Sequence, residues 1–462
     1  MSTYGIELKN VPNPARDCPL RPVELTDETI AERVQKVLAG MRARSLDQLV
    51  VYCDVEHSGN FNYLVGLFTR FEEALLVIDA DGTMNLVLGN ENLNKASKAR
   101  VSAGSTCAPV FSLPNQPDSV GRPLADLLRG AGIKSGGRVG VVGWKHFTSP
   151  AVDSTKALDL PYFIAMALRE VVAGGELVPA ADLFIGEGGA RTTNNANEIA
   201  HYEFGASLAS DCMLDALDAL EVGVSEMELG DRLVRYGQHT SVVTIAAAGP
   251  RFVKGNMFPT GHEVALGDPI SLTVGYAGGL SSRAGYAVSD AAELPSGEHD
   301  WLERVAKPYF GAYAHWLKTI RVGMTGGLLF DEIENVLPRS EFGWTLCPGH
   351  LTAEEEWLCS PVYEGSTELL RSGMLFQIDI IPSVSGYGGV SAESTVALAD
   401  RTLREEIARL YPEMWERIQA RRAYLVDVLG IRPSDDVLPL CSTVAYLRPY
   451  LLDHAKALVL TC

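Results

Sequence analysis

Residues 267–288 constrain the fold of this chain more than any other stretch. Two runs of apolar and β-branched residues, 270–274 and 280–288, lie on either side of Gly278 and Gly279. Runs of this kind that flank a glycine turn are typical of an antiparallel hairpin. The sequence therefore predicts a β-hairpin in the second half of the chain.

Two later segments have a similar character, and each carries an acidic residue. Residues 374–380 include Asp379, and residues 390–396 include Glu393. His350 lies between the hairpin and these segments, directly after a Pro-Gly pair. Because that pair forms a turn, we expect His350 at a strand edge that faces a pocket.

This order of motifs resembles the pita-bread superfamily, which includes creatinase, prolidase, aminopeptidase P and methionine aminopeptidase. The resemblance implies an α+β fold, with a C-terminal pita-bread domain of the creatinase and methionine aminopeptidase type and a smaller N-terminal α/β domain as in creatinase. The metal-dependent members carry five ligands: two aspartates in the hairpin, one histidine, and an acid on each of the last two strands. His350, Asp379 and Glu393 stand at three of these positions.

The hairpin departs from the family pattern. Thr273 stands where the first aspartate is expected, and Ser282 with Arg283 stands where the second is expected. The family's second histidine is also absent, and Trp357 lies in its neighbourhood. A dinuclear centre needs anionic oxygen ligands, and a guanidinium repels a divalent cation. We therefore predict no metal and no other cofactor, as the resemblance to creatinase, the metal-independent member, also implies.

The length of 462 residues indicates two domains. A polar, glycine-rich stretch at 186–195 is the candidate boundary. It divides the chain into an N-terminal α/β domain at 1–190, which begins with an irregular arm, and a C-terminal domain at 191–462. The elements predicted in the first domain are a helix that begins near Thr26 and strands at 46–52, 74–79, 84–88 and 137–142.

The second domain contains a weak internal repeat. Long helices are predicted at 198–220 and at about 300–320. The first is followed by Val-Gly-Val-Ser at 222–225 and the second by Val-Gly-Met-Thr at 322–325. The resemblance gives this repeat a meaning, because the pita-bread domain has two structurally similar halves.

Charge and composition exclude several classes of function. A net charge of −19 at pH 7 disfavours binding to nucleic acid and to anionic membranes. No apolar run approaches the roughly 18–20 residues of a membrane span, and the first residues show no secretory signal. The eight cysteines form no CxxC pair, which favours reduced thiols. We therefore expect a cytoplasmic protein with a small-molecule substrate.

His350, Asp379 and Glu393 are the candidate catalytic residues. A histidine beside carboxylates can act as a general acid or base near neutral pH. Burial among apolar neighbours would raise the pKa of both acids unless a positive charge compensates. The alternative is structural, in which both acids form an ion pair with Arg283.

Arg283 is the candidate anchor for the substrate. A guanidinium in the former metal pocket could hold a carboxylate through two hydrogen bonds or polarise a carbonyl oxygen. Thr273 and Ser282, on the same hairpin, are further candidate substrate contacts.

The resemblance adds three more candidates and a partner. Asn256 falls nearest the position of the catalytic histidine of creatinase. In creatinase-like dimers the small domain of one subunit completes the site of the other, and the comparable stretch here is 57–72, with His57 and Arg70 as substrate-binding candidates. The resemblance therefore implies a homodimer. The acidic run at 354–356 is expected to be a solvated turn.

Three hypotheses of function follow. The first is a metal-independent, creatinase-like hydrolase of a small, carboxylate-bearing amide, amidine or ureide, in which His350 moves protons, Asp379 and Glu393 orient it or activate water, and Arg283 holds the anionic group. The second is a metal-dependent Xaa-Pro dipeptidase or aminopeptidase with altered ligands. The third is a lyase that uses the same pocket, or a small-molecule-binding protein without catalysis.

Overall fold

The structure, a computed structural model, describes residues 5–249 and 258–461. The chain divides into an N-terminal unit, residues 25–192, and a C-terminal unit that joins residues 5–24 to residues 193–461. This division differs from the predicted domains, 1–190 and 191–462, mainly in the first 24 residues. The reason is strand β1, Gly5–Asn10, which pairs antiparallel with β15, Lys456–Thr461.

The N-terminal unit is built on a six-stranded mixed sheet in the order β5-β4-β3-β2-β6-β7. The pairs β2/β3 and β3/β4 are antiparallel, and the pairs β4/β5, β2/β6 and β6/β7 are parallel. Four of these strands lie where the sequence predicted strands. The strands are β2 Gln48–Cys53, β3 Ala74–Asp79, β4 Met84–Leu88, β5 Gly104–Cys107, β6 Arg138–Val142 and β7 Glu176–Pro179.

Helices complete this unit. The first begins where predicted, because the side chain of Thr26 accepts a hydrogen bond from the backbone N–H of Thr29 at 3.2 Å. Leu128, Ile164 and Leu168 pack with the strands in one apolar core. The helices are α1 Asp27–Ala43, α2 Gly59–Val65, α3 Leu124–Gly130, α4 Tyr162–Val171 and α5 Asp182–Ile185.

The C-terminal unit contains the predicted hairpin as the antiparallel pair β9/β10. Its two larger sheets have the orders β10-β9-β8 and β11-β12-β13-β14. The two late segments form shorter strands than predicted, so that Asp379 follows β12 and Glu393 precedes β13. The strands are β8 Ile245–Ala248, β9 Pro269–Tyr276, β10 Gly279–Tyr286, β11 His350–Leu351, β12 Leu375–Gln377, β13 Thr395–Leu398 and β14 Val437–Pro439.

The predicted internal repeat is present in the helices of this unit. Each long helix is followed by a glycine with positive φ, Gly223 at 92° or Gly323 at 84°, and then by a short helix whose N-cap is Ser225 or Thr325. Among the described residues, no helix combines the length and apolarity that crossing a membrane requires. The helices are α6 Ala196–Ala219, α7 Glu226–Leu233, α8 Lys307–Thr319, α9 Gly326–Val336, α10 Arg339–Phe342, α11 Arg401–Leu410 and α12 Pro412–Ala423.

Candidate functional site

His350 lies at the start of β11 and is fully buried. Strand β11 pairs with β12, with His350 opposite Gln377. The indole N–H of Trp316 donates to the carbonyl oxygen of Pro348 at 2.8 Å, which fixes the turn before the histidine. The Nδ1 atom of His350 lies 3.3 Å from the carbonyl oxygen of Leu351. If the proton is on Nδ1 and donates there, Nε2 presents its lone pair to the pocket.

The chain reverses after β11 and brings a carboxylate back to the histidine. The N–H of Leu358 donates to the carbonyl oxygen of Leu351 at 2.9 Å and closes this reversal. Glu356 thereby places Oε1 3.0 Å from Nε2 of His350, and the indole of Trp357 lies against the imidazole with ring centroids 4.0 Å apart.

Asp379 and Glu393 approach the same nitrogen from the neighbouring segments. The Oδ2 atom of Asp379 and the Oε1 atom of Glu393 each lie 3.9 Å from Nε2 of His350. The two segments are joined where the N–H of Ile378 donates to the carbonyl oxygen of Ser394 at 3.1 Å. The structure therefore brings the three predicted catalytic residues together and adds Glu356 to them.

The electrostatics of this acid–histidine cluster, His350 with Glu356, Asp379 and Glu393, are unbalanced. Burial raises the pKa of Asp379 to about 6, against the opposing effect of His350. Burial and the charges of Asp379 and Glu356 raise the pKa of Glu393 well above its ordinary value. Over the described part of the chain, Nε2 of His350 and Oε1 of Glu393 are buried without a hydrogen-bond partner. The short contact between His350 and Glu356 is therefore an ion-pair distance without hydrogen-bond geometry.

The donor atoms of this cluster fit a divalent cation. His350, Glu356 and Glu393 each offer one ligand atom, and these atoms lie within 4.8 Å of one another. Imidazole and carboxylate donors suit transition-metal ions such as manganese, iron and zinc. A histidine ligand commonly donates its other ring N–H to a backbone carbonyl, as Nδ1 is placed to do here. His350 and Glu393 are two of the three positions at which the sequence retains a ligand of the metal-dependent proteins, and Glu356 is the donor that was not predicted.

The hairpin side of the site is different. Thr273 and Ser282 are directly opposite each other in the β9/β10 register, and their hydroxyl oxygens are 2.8 Å apart in a hydrogen bond. Both side chains are buried. Each hydroxyl therefore has a partner in the other, and their expected contact with substrate stays a prediction.

Arg283 does not have the free guanidinium that the sequence analysis expected. It is fully buried and donates from Nη1 to the carbonyl oxygens of Ser282 and Glu393, at 2.6 and 2.8 Å. Its Nη2 donates to the carbonyl oxygen of Thr443 at 2.5 Å and to the hydroxyl of Ser394 at 3.2 Å. Among the described residues Arg283 forms no ion pair with the side chains of the two acids, because Nη1 and Nη2 donate to backbone carbonyls and to a hydroxyl, and its buried Nε has no hydrogen-bond partner. Its predicted grip on a substrate carboxylate stays a prediction.

Tyr309 holds the same backbone segment from helix α8. The N–H of Ala392 donates to its hydroxyl oxygen at 2.7 Å. Arg283 and Tyr309 therefore fix the backbone on both sides of the Glu393 side chain. We call these two residues the Glu393 support.

Three more substrate-binding candidates came from the resemblance. Asn256 falls outside the described residues. His57, in the N-terminal unit, has Nδ1 3.0 Å from the Oδ2 atom of Asp54. Arg70, in the same unit, lies near the ring of Phe68, 6.0 Å from its centroid. The roles of His57 and Arg70 depend on a second subunit and stay predictions.

Glu356 is the residue that sequence reasoning missed. The run 354–356 was expected to be a solvated turn, yet the Glu356 side chain is only 18% exposed, and Glu354 accepts a hydrogen bond from the hydroxyl of Tyr202. The sequence does offer one hint. Glu356 directly precedes Trp357, which lies where the resemblance places a second histidine. A carboxylate at such a position can offer a donor in place of an imidazole.

Comparisons with known proteins identify the fold. No protein-family model matches the sequence, and no curated protein matches it. Among solved structures, the prolidase from Thermococcus sibiricus superposes with a TM-score of 0.63 at 16% identity, covering 82% of this chain and 96% of that one.

Two further solved structures superpose on this chain to a similar extent. The Xaa-Pro dipeptidase from Bacillus anthracis gives a TM-score of 0.59 at 18% identity, covering 80% of this chain and 94% of that one. The X-Pro aminopeptidase from Thermotoga maritima gives 0.59 at 15% identity, covering 80% and 95%. At these identities the likeness shows the fold. The chain has the α+β pita-bread fold with a smaller N-terminal α/β domain, as predicted.

Proposed function

We propose that this protein is a metal-dependent hydrolase of a peptide or peptide-like C–N bond, with one divalent cation held by His350, Glu356 and Glu393. The observation that carries the proposal is the buried Nε2 of His350, which faces three carboxylates without a hydrogen-bond partner among the described residues. A cation would balance these carboxylates and bind the nitrogen lone pair at once.

The substrate class is taken from the proteins that share the fold. Two of them are named for action on Xaa-Pro or X-Pro peptides, and a third is a prolidase. An amide bond that precedes proline is therefore the first substrate to test. This is the second of the three hypotheses from the sequence, now placed first.

The chain's own residues have distinct tasks in this proposal. A bound divalent cation supplies Lewis acidity toward a carbonyl oxygen or water. Asp379 lies beside the donor set and accepts the proton of the attacking water as the new C–O bond forms. It returns that proton to the leaving nitrogen as the C–N bond breaks, so that an acid and an amine are released. The Glu393 support keeps one donor in place.

The first experiment measures metal content and activity together. Purified protein is stripped with a chelator, exposed separately to manganese, iron, cobalt and zinc, and analysed by elemental mass spectrometry. We expect about one ion per chain, and hydrolysis of an Xaa-Pro dipeptide that is lost on stripping and restored on reloading.

The matched variants are Glu356→Gln and Glu355→Gln, from the same turn. Glu356→Gln should weaken cation binding by about tenfold or more, since a carboxylate donor is lost, and Glu355→Gln should leave it nearly unchanged. Metal far below one ion per chain, with activity that survives chelation, would overturn the proposal.

A metal-independent hydrolase of a small amide, amidine or ureide is the second candidate. The observation that favours it is the Thr273–Ser282 hydroxyl pair, which supplies no carboxylate where the resemblance places two ligands. Turnover of a guanidino or ureido compound by chelated protein would place this candidate first.

The homodimer also remains a proposal, drawn from the resemblance. Mass in solution tests it directly. If the protein is a dimer, replacement of His57 or Arg70 in one subunit should impair the site of the other.

A further inference from the structure

A cleft in the N-terminal unit has the opposite charge character to the rest of the protein. It has a volume of about 380 Å³ and lies beside β6 and β7. Ligand sites for small molecules typically have volumes of roughly 300–1,000 Å³. The basic side chains that line this cleft are Arg44, Arg138, Lys145, His146 and Lys156.

This basic cleft is unusual because the whole chain has a net charge of −19. Its four permanent cations face two lining carboxylates, Glu176 and Asp182, and a third, Asp153, that pairs with Lys156, which leaves an excess of one positive charge. A local excess of positive charge in an acidic protein attracts small anions and repels cations. The cleft therefore differs in ligand preference from the acid–histidine cluster.

Part of the cleft's positive charge is already compensated. Arg44 forms an ion pair with Asp182, and Arg138 pairs with Glu176 at 2.7 Å. Lys156 pairs with Asp153 at 2.9 Å. These ion pairs hold the guanidinium groups and one ammonium group at the walls of the cleft.

The remaining donors have no acidic partner. Over residues 5–249 and 258–461, the side chains of Lys145 and His146 form no ion pair, although the backbone N–H of Lys145 donates to the carboxylate of Asp159 at 2.6 Å. The buried Nε of Arg138 has no hydrogen-bond partner among these residues.

The hydroxyl of Ser154 is a further donor among the lining residues, whereas that of Thr155 already donates to Asp153 at 2.6 Å. Arginine, lysine and hydroxyl donors together are the groups that bind the several oxygens of a phosphate.

We propose that the basic cleft binds a small phosphorylated molecule, with Lys145 and the free Nε–H of Arg138 as its main contacts. A phosphate group offers oxygens to donors on more than one wall. This site is separate from the proposed hydrolytic reaction, and its existence does not depend on that reaction.

Isothermal titration calorimetry of the full chain tests the proposal, with inorganic phosphate, glycerol phosphate and succinate as probes at constant ionic strength. We expect saturable binding of both phosphates in the millimolar range or tighter, roughly −4 kcal/mol or better, and much weaker binding of succinate. Lys145→Gln should weaken phosphate binding by about fivefold to tenfold, since a charged donor is lost.

The matched control is Lys134→Gln, in the same unit. Lys134 is exposed and pairs with Asp79, away from the residues that line the cleft. Its replacement should change phosphate affinity by less than about twofold. Three results would overturn the proposal: absence of saturable phosphate binding, equal binding of succinate, or equal weakening by the control. If Lys145→Gln does not fold, His146→Gln replaces it in the same test.

Discussion

The hairpin side and the histidine side of the candidate site differ in how many of their buried polar groups have a hydrogen-bond partner. On the hairpin side, Thr273 and Ser282 bind each other. The Nη1 and Nη2 atoms of Arg283 donate to backbone oxygens and to a serine hydroxyl, while its buried Nε has no hydrogen-bond partner among the described residues. On the histidine side, His350 and Glu393 each keep a buried polar atom without a hydrogen-bond partner, by the contacts of the described residues. Buried polar groups are nearly always satisfied. The unsatisfied atoms of the histidine side belong to candidate metal ligands, whereas most polar groups of the hairpin side have partners, and this difference is the basis of the predictions that follow.

The largest effect on cation affinity and activity should come from replacing His350, which contacts all three acids of the cluster. His350→Ala should lower cation affinity and hydrolysis of an Xaa-Pro dipeptide by about 100-fold or more, because the only nitrogen donor of the cluster is lost. Steady-state kinetics and a metal titration measure both. The control is His315→Ala, since His315 pairs with Glu332 at 2.7 Å away from the cluster.

A loss of less than about twofold would show that His350 is structural. If His350→Ala does not fold, Glu393→Gln tests the same point. It keeps the shape of a side chain whose Oε1 atom approaches His350.

The second effect tests whether Arg283 supports Glu393 or anchors substrate. Arg283→Met removes one hydrogen bond from each of three buried carbonyl oxygens, so the free energy of unfolding should fall by about 3 kcal/mol, at about 1 kcal/mol for each bond. Cation affinity should fall as well, by about tenfold, because Glu393 loses part of its support. Urea denaturation and a metal titration measure the two quantities.

Arg448→Met is the matched control for this variant. Arg448 is also fully buried and donates to the carbonyl oxygen of Leu217 at 3.0 Å. Its loss should lower stability without changing cation affinity. A substrate anchor would behave differently, since Arg283→Met would then raise KM and leave cation affinity unchanged.

The third effect is a change of the free energy of unfolding with pH, which we expect from the two buried acids of the histidine side, Asp379 and Glu393. The pKa of Asp379 is raised to about 6 in the folded protein, above its value in the unfolded chain, and the pKa of Glu393 is raised in the same direction. The folded state therefore binds protons more tightly, and the cation-free protein should gain stability as pH falls through the folded pKa of about 6 toward the unfolded pKa of about 4.

Urea midpoints for the wild type and for Asp379→Asn, measured across this range, isolate that contribution. Because the asparagine side chain of the variant resembles the protonated acid, the two proteins should be most alike at about pH 4, and the wild type should lose stability relative to the variant as pH rises through about 6. Cation affinity should change the other way, because protons compete for the same oxygens at low pH. If the stability of the two proteins changes with pH in the same way, Asp379 does not have a raised pKa in the folded protein, and the prediction is wrong.

Much of the fold was predictable because its signals are local. The hairpin is encoded by two apolar runs and a glycine turn, and the helix repeat by a Gly followed two residues later by Ser225 or Thr325, whose side chains cap the next helix. The first strand was missed, because residues 5–10 gain their partner only from residues 456–461 at the other end of the chain.

The site was predictable only in part, for the same reason. His350, Asp379 and Glu393 stood out by their order along the chain. Glu356 did not, because its position depends on a reversal closed by the hydrogen bond between Leu358 and Leu351. The positive charge of Arg283 was visible in the sequence. Its hydrogen-bond partners were not, because the carbonyl oxygens of Glu393 and Thr443 come from distant segments.

The smallest effect on stability and activity should come from replacing the two hydroxyls of the hairpin side. This result tests most directly whether the hairpin and histidine sides differ in function. The double variant Thr273→Val and Ser282→Ala removes both members of a hydroxyl pair, so no partner is left unsatisfied and stability should change by less than about 1 kcal/mol. Because each hydroxyl already has its partner in the other, cation affinity and kcat/KM should also stay within about twofold. The single variant Thr273→Val is the control, since it strands the buried Ser282 hydroxyl and should destabilise by about 1–2 kcal/mol. A large fall in kcat/KM with unchanged stability would mean that these hydroxyls contact substrate, as the sequence predicted, and that both sides of the site remain functional.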